Sequence, residues 1–117
     1  MRASLKRQEI VRQRRDIAAV MGRGKRADSG LFSLHYRERE QPVPRSRIAF
    51  LLNSKIRGAV VRNRLKRRLR EIFRRNKKWF PPNFDYIIQV KSGAEELDFK
   101  QLWDQIRTLS ERIKNAD

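Results

Sequence analysis

From Ala59 to about Asn76, Val61, Leu65, Leu69, Ile72 and Phe73 recur so that a helix gathers them on a single arc. Nearly every other side chain in the stretch is cationic, and residues 55–78 hold twelve Lys and Arg against one acidic residue, Glu71. Such a helix needs a platform. Its apolar arc must pack on a sheet, and like charges at i and i+4 cost about 0.2–0.5 kcal/mol per pair in an isolated helix. Arg62, Lys66 and Arg70 form a row along one edge of the arc, with Asn63, Arg67 and Arg74 beside them and Arg64, Arg68 and Arg75 further round. A solvated helix face usually mixes both signs. A surface of one sign rich in Arg, whose planar fork matches phosphate oxygens and stacks on bases, points to nucleic acid. Asn63 adds a group that can both donate and accept, as a sugar or base edge requires.

The remaining sequence suits one small domain over residues 1–117. A formal charge of +17 with 38% apolar and 37% charged residues leaves a thinly supplied core, and self-repulsion favours a chain stabilised by a polyanionic partner. The charge is concentrated: residues 1–26 carry nine basic and two acidic side chains, whereas 79–117 carry five and seven. That last third also holds Trp79, Phe80, Phe84, Tyr86, Phe99 and Trp103, which read as core. The absence of Cys excludes a disulfide framework, a thiolate nucleophile and cysteine-bound zinc. The longest uncharged apolar stretch, Ile48 to Leu52, is too short to span a bilayer, and the N-terminal residues run into charge instead of an apolar signal core. A soluble, cytoplasmic protein is expected.

Periodicity predicts the elements. Ile10, Ile17, Val20 and Met21 suggest a basic helix from about Ser4 to Met21, stopped by Gly22 and Gly24. Leu31 to Arg37 alternates Phe32, Leu34 and Tyr36 against Ser33 and His35, as a half-buried strand does. A second strand follows at Arg47 to Leu52, after a loop holding Pro42 and Pro44. The cationic helix would end before Pro81 and Pro82, Tyr86 to Val90 reads as a strand, and Phe99 to Ile113 returns to helical spacing with Asp98 as its cap. The order helix, strand, strand, helix, strand, helix predicts an α/β fold of α+β sandwich type, a small sheet packed by three helices.

The run from Lys55 through Arg74, with Ala59, the Arg62-Asn63-Arg64 triplet, the Lys66-Arg67 pair and Arg70, resembles the signature helix of the bacterial ribonuclease P protein family. Phe84 to Ile88 and Leu31 to Tyr36 resemble the flanking strands, and coverage is about residues 5 to 113. The resemblance implies a mostly antiparallel sheet with a left-handed strand-helix-strand crossover, whereas parallel neighbours usually connect right-handedly. It also implies a protein that pairs with a catalytic RNA to remove the 5′ leader of precursor tRNA, the RNA carrying the chemistry and binding most of the Mg²⁺. Lys55, Arg62, Asn63, Arg64, Lys66, Arg67, Arg70 and Arg74 would meet RNA, and a cleft between the first helix and the sheet would take the single-stranded leader. Alignment puts Ile17, Met21 and His35 in that cleft, where the family commonly has aromatic rings, and Gly58 one place later than the usual glycine. Periodicity alone suits Ile17 and Met21 equally as core, and His35 equally as an exposed histidine without a role.

Catalysis by the chain itself has little to work with. One histidine, no cysteine and scattered carboxylates supply neither a two-metal site nor a nucleophile with its base. Glu95, Glu96 and Asp98 form the one tight acidic group, and negative charge there suits the start of the last helix. The competing readings are a ribosomal-type RNA-packing protein, which needs only the basic helix, and a DNA-binding regulator, for which no helix-turn-helix spacing is present.

Overall fold

The computed structural model describes residues 14–40 and 46–115, with side chains to Ile113. Its elements in chain order are α1 (Arg14–Arg23), β1 (Lys25–Ser29), β2 (Phe32–Glu38), β3 (Arg47–Leu52), α2 (Ala59–Arg75), β4 (Phe84–Val90) and α3 (Phe99–Asn115). Short 3₁₀ turns at Lys77–Trp79 and Ala94–Glu96 precede β4 and α3. Residues 4–13 of the expected first helix, and the loop with Pro42 and Pro44, lie outside the described residues.

Four strands form one sheet in the order β1-β2-β4-β3. β2 pairs antiparallel with β1 and β4, while β3 and β4 run parallel and are joined through α2. Alternation then sorts the side chains by face. Phe32, Leu34 and Tyr36 of β2, Ile48 of β3 and Tyr86, Ile88 and Val90 of β4 join the main core with Leu65, Leu69, Ile72 and Phe73 of α2 and Leu102, Ile106, Leu109 and Ile113 of α3. The opposite face carries Ala49 and Ile87, on which Val20 of α1 packs, with Ile17 and Met21 at the margin.

Local chemistry explains the element ends. The Gly24 N–H donates to Val20 O at 2.9 Å where α1 stops. Asp98 caps α3 as expected, and reciprocally: Gln101 N–H donates to Asp98 Oδ1 at 2.8 Å and Asp98 N–H to Gln101 Oε1 at 2.9 Å. The proline pair does not end α2. Asn76 does, its side-chain amide donating to Ile72 O at 2.8 Å and its N–H to Phe73 O at 3.1 Å, ahead of Pro81. Beyond it, Phe80 sits between Phe73 and Tyr86, with ring centroids 5.1 and 5.2 Å away. The Tyr86 hydroxyl donates to Pro81 O at 2.7 Å, and burial drives its pKa far up. Phe80 and Tyr86 are thus core, whereas Trp79, Phe84, Phe99 and Trp103 are half-buried at its margin.

An ion-pair group fastens α1 to the sheet. Asp85, 8% exposed, accepts from Arg47 Nε and Nη2, both at 2.8 Å, across the parallel β3-β4 pair. Arg47 Nη2 also reaches Asp16 of α1 at 3.5 Å, and Arg39 Nη1 lies 3.8 Å from Asp85. The Asp85 hydrogen bonds push the Arg47 guanidinium pKa upward. Asp85→Ala leaves Arg47 without its bidentate partner and should lower stability by about 3 kcal/mol. Asp16→Ala removes a longer, more exposed contact and should cost less than about 1 kcal/mol. Urea unfolding of the two variants measures the difference.

Candidate nucleic-acid interface

The apolar arc of α2 faces the sheet, so helical geometry turns its cations outward. Asn63, Arg64, Arg67 and Arg70 are exposed, and Lys66 is half-buried. Glu71 lies among them but accepts from Arg74 Nε at 3.1 Å and Arg75 Nε at 2.8 Å. Its pKa falls below the ordinary carboxylate range, the Arg74 hydrogen bond being the main cause. Among the described residues no carboxylate pairs with Arg64, Lys66, Arg67 or Arg70. Apart from Glu71 and its two arginine partners, the outer face is therefore a cationic field with Asn63 inside it. Val60, 79% exposed, lies on the same face.

Lys55 is exposed on the turn between β3 and α2. Arg62 differs from its neighbours: it is half-buried, and its guanidinium turns back onto the backbone carbonyls of Ile56, Asn53 and Leu52. The residues expected to meet RNA thus include two whose side chains are engaged within the protein, Arg62 with carbonyls and Arg74 with Glu71.

On the far side of the sheet, Ile17 and Met21 are half-buried beside Val20, Ala49 and Ile87, each with part of its surface facing out. His35 shares that face, directly across from Ile87. It is 6% exposed, not the exposed strand residue that alternation allowed, and its Nε2 lies 2.8 Å from Gln89 Oε1. The structure thus gathers the three aligned residues on one face of the sheet.

Four residues missed in the sequence lie on the same face. Ser33 Oγ donates to Asp28 Oδ1 at 2.6 Å, Arg26 Nε and Nη2 donate to the same oxygen at 3.2 and 3.1 Å, and Gln89 holds His35. Arg26 and Asp28 belong to β1, which periodicity did not predict because Lys25–Ser29 holds no apolar residue but Ala27. The available signal was Gly30: at φ 55 it opens a two-residue hairpin loop between paired Ser29 and Phe32, where glycine takes positive φ without strain.

No group of three or more His, Asp or Glu among the described residues could hold a metal ion. Four of the described carboxylates are committed instead: Asp28 to Ser33 and Arg26, Asp85 to Arg47, Glu71 to Arg74 and Arg75, and Glu95 to the Gly93 N–H. These side chains do not fit a resident Mg²⁺. No helix among the described residues is long and apolar enough to cross a membrane.

A cationic helix on one side of a four-stranded sheet and a short helix over its other side can be compared with known proteins. The family model described as Ribonuclease P matches residues 5–114. The chain belongs to the ribonuclease P protein family. The ribonuclease P protein component of Thermotoga maritima is 32% identical over 118 residues, 97% of this chain and 99% of that one. That of Streptomyces avermitilis is 31% identical over 110 residues, 88% and 89% of the two chains. The solved ribonuclease P protein structure from Thermotoga maritima superposes with a TM-score of 0.78 at 31% identity, covering 89% of this chain and 96% of that one. The Staphylococcus aureus ribonuclease P protein, 19% identical, has the same fold, with a TM-score of 0.82 over 91% and 95%. The α+β architecture read from the sequence is therefore the ribonuclease P protein fold.

The polar part of this face has a pH signature. Hydrogen bonding from Ser33, then from Arg26, lowers the Asp28 pKa below its ordinary value. Its folded-state stabilisation is therefore complete above the unfolded pKa and disappears as pH falls through the lowered folded value. Because Asp28 is exposed, the contribution should stay below about 1 kcal/mol. Asp28→Asn should flatten the acid side of the stability curve below about pH 4 and leave its shape near pH 7 unchanged. Melting temperatures recorded from acid to neutral pH check this.

Proposed function

We propose that the chain is the RNA-binding protein subunit of ribonuclease P, the ribonucleoprotein endonuclease that removes the 5′ leader from precursor tRNA. The observation that carries the reading is the uncompensated cationic face of α2 in a member of this family. Lys55, Asn63, Arg64, Lys66, Arg67 and Arg70 meet the catalytic RNA and screen repulsion between its phosphates and those of the substrate. Mg²⁺ is held mainly by the RNA. Cleavage belongs to the RNA, and the polypeptide alone is inactive.

The second surface, under α1, takes the single-stranded leader. A packing protein of ribosomal type has no use for it. Ile17 and Met21 offer dispersion contacts to bases, Met21 through a polarisable thioether, where an aromatic ring would stack. Arg26 and Gln89 supply polar groups at the surface of the same face, with Ser33 and His35 buried behind them and bonded to Asp28 and Gln89. Leader binding here leans on hydrogen bonding and charge more than on stacking, which contributes about 1–3 kcal/mol per base on an aromatic platform.

Three measurements test this. Adding the pure chain to a ribonuclease P RNA and precursor tRNA at low Mg²⁺ should raise cleavage, with no cleavage by the chain alone; activity of the chain alone would overturn the division of labour. Reversing Arg64, Arg67 and Arg70 to Glu should weaken RNA binding and flatten its dependence on log salt by about 2–3 units. An unchanged slope would remove α2 as the contact surface. Met21→Phe should tighten binding of a leader-bearing substrate several-fold, by about 1 kcal/mol, while leaving affinity for leaderless tRNA unchanged.

A further inference from the structure

We propose that Arg62 is a positioning residue that aims the Lys55-Ile56-Arg57 turn at RNA, and that it does not itself carry a phosphate contact. The inference rests on the functional reading above and deepens it. Arg62 Nη1 donates to Ile56 O at 2.7 Å and Asn53 O at 3.0 Å, and Nη2 leans toward Leu52 O at 3.5 Å. One guanidinium thus gathers three carbonyls from the segment that leaves β3 and enters α2. A planar fork can do this; an ammonium, a single point of charge, cannot hold the same three oxygens in one plane.

The segment is otherwise built to display two cations. The Asn53 N–H continues the β3-β4 ladder to Val90 O at 2.9 Å, and its Oδ1 accepts the Lys55 N–H at 2.8 Å. The Ile56 N–H donates to Asn53 O at 3.0 Å, and the Ile56 side chain is fully buried in the core. Lys55 and Arg57, on either side of that plug, are exposed. Gly58, at φ 94, then turns the chain into α2 through the Arg62 N–H bond to Gly58 O at 3.0 Å. Ile56 anchors the middle of the turn, and Arg62 holds the carbonyls around it. Without the clamp those carbonyls would turn to water, and the direction of Lys55 and Arg57 would no longer be fixed.

The test uses the full chain with a ribonuclease P RNA and compares R62M and R62K in two backgrounds, wild type and K55A/R57A. With the clamp, R62M weakens RNA binding about tenfold in the wild-type background and less than about twofold once Lys55 and Arg57 are gone. R62K then behaves like R62M, and amide hydrogen exchange at Lys55 and Ile56 in the free protein quickens in both. If Arg62 meets a phosphate, R62M costs the same factor in both backgrounds, R62K restores most of the affinity, and exchange at the turn does not change; that pattern overturns the proposal. So does a K55A/R57A variant that binds RNA as tightly as wild type. Charge reversal at Arg64, Arg67 and Arg70 is run alongside, and only its failure to weaken binding counts against the function proposed for the chain.

Discussion

Burial of Leu65, Leu69, Ile72 and Phe73 against the sheet makes the cationic face of α2 possible. Each such side chain contributes about 1.5–3 kcal/mol when fully removed from water. Like-charge neighbours along the outer face oppose the helix by a few tenths of a kcal/mol per pair. The apolar side wins by a wide margin, so the helix can keep a surface nearly free of counter-charge. The single acidic residue on it, Glu71, is spent at the C-terminal end on Arg74 and Arg75, away from Asn63 and Arg64.

Both surfaces proposed to meet RNA depend on β4. Tyr86, Ile87 and Ile88 are fully buried, Tyr86 and Ile88 toward α2 and α3, Ile87 toward α1. Such a strand reads as a continuous apolar run, as buried parallel-type strands do. Asp85, one residue earlier, carries the ion pair that reaches Arg47 and through it Asp16. A single strand thereby holds the platform for α2 and the fastening for α1.

Much of this was legible in the sequence because apolar spacing recorded it. The arc of α2, the α3 stripe, the faces of β2 and the boundaries of β3 follow from 3.6- and 2-residue periods. What was not legible depends on tertiary contact. β1 has almost no apolar residue to give a period. The burial of His35 and Ser33 comes from what covers and bonds them, since alternation only assigns them a face. The boundary of α2 near Asn76 was legible, but its cause, a side-chain cap and not the later prolines, was not. Arg62 is the clearest case: a charge pattern counts guanidiniums, but it does not distinguish one that faces solvent from one that has turned onto its own backbone.

Ile87 and Ile88 are neighbours in the chain, yet they point to opposite layers. Layers in folded proteins stack about 10 Å apart, so α1 and α2 stand roughly 20 Å from each other across the sheet. That separation is set by packing of both layers on β4. A protein gripping scaffold on one side and a single strand on the other would act as a caliper, holding the two nucleic acids at one gauge in every turnover.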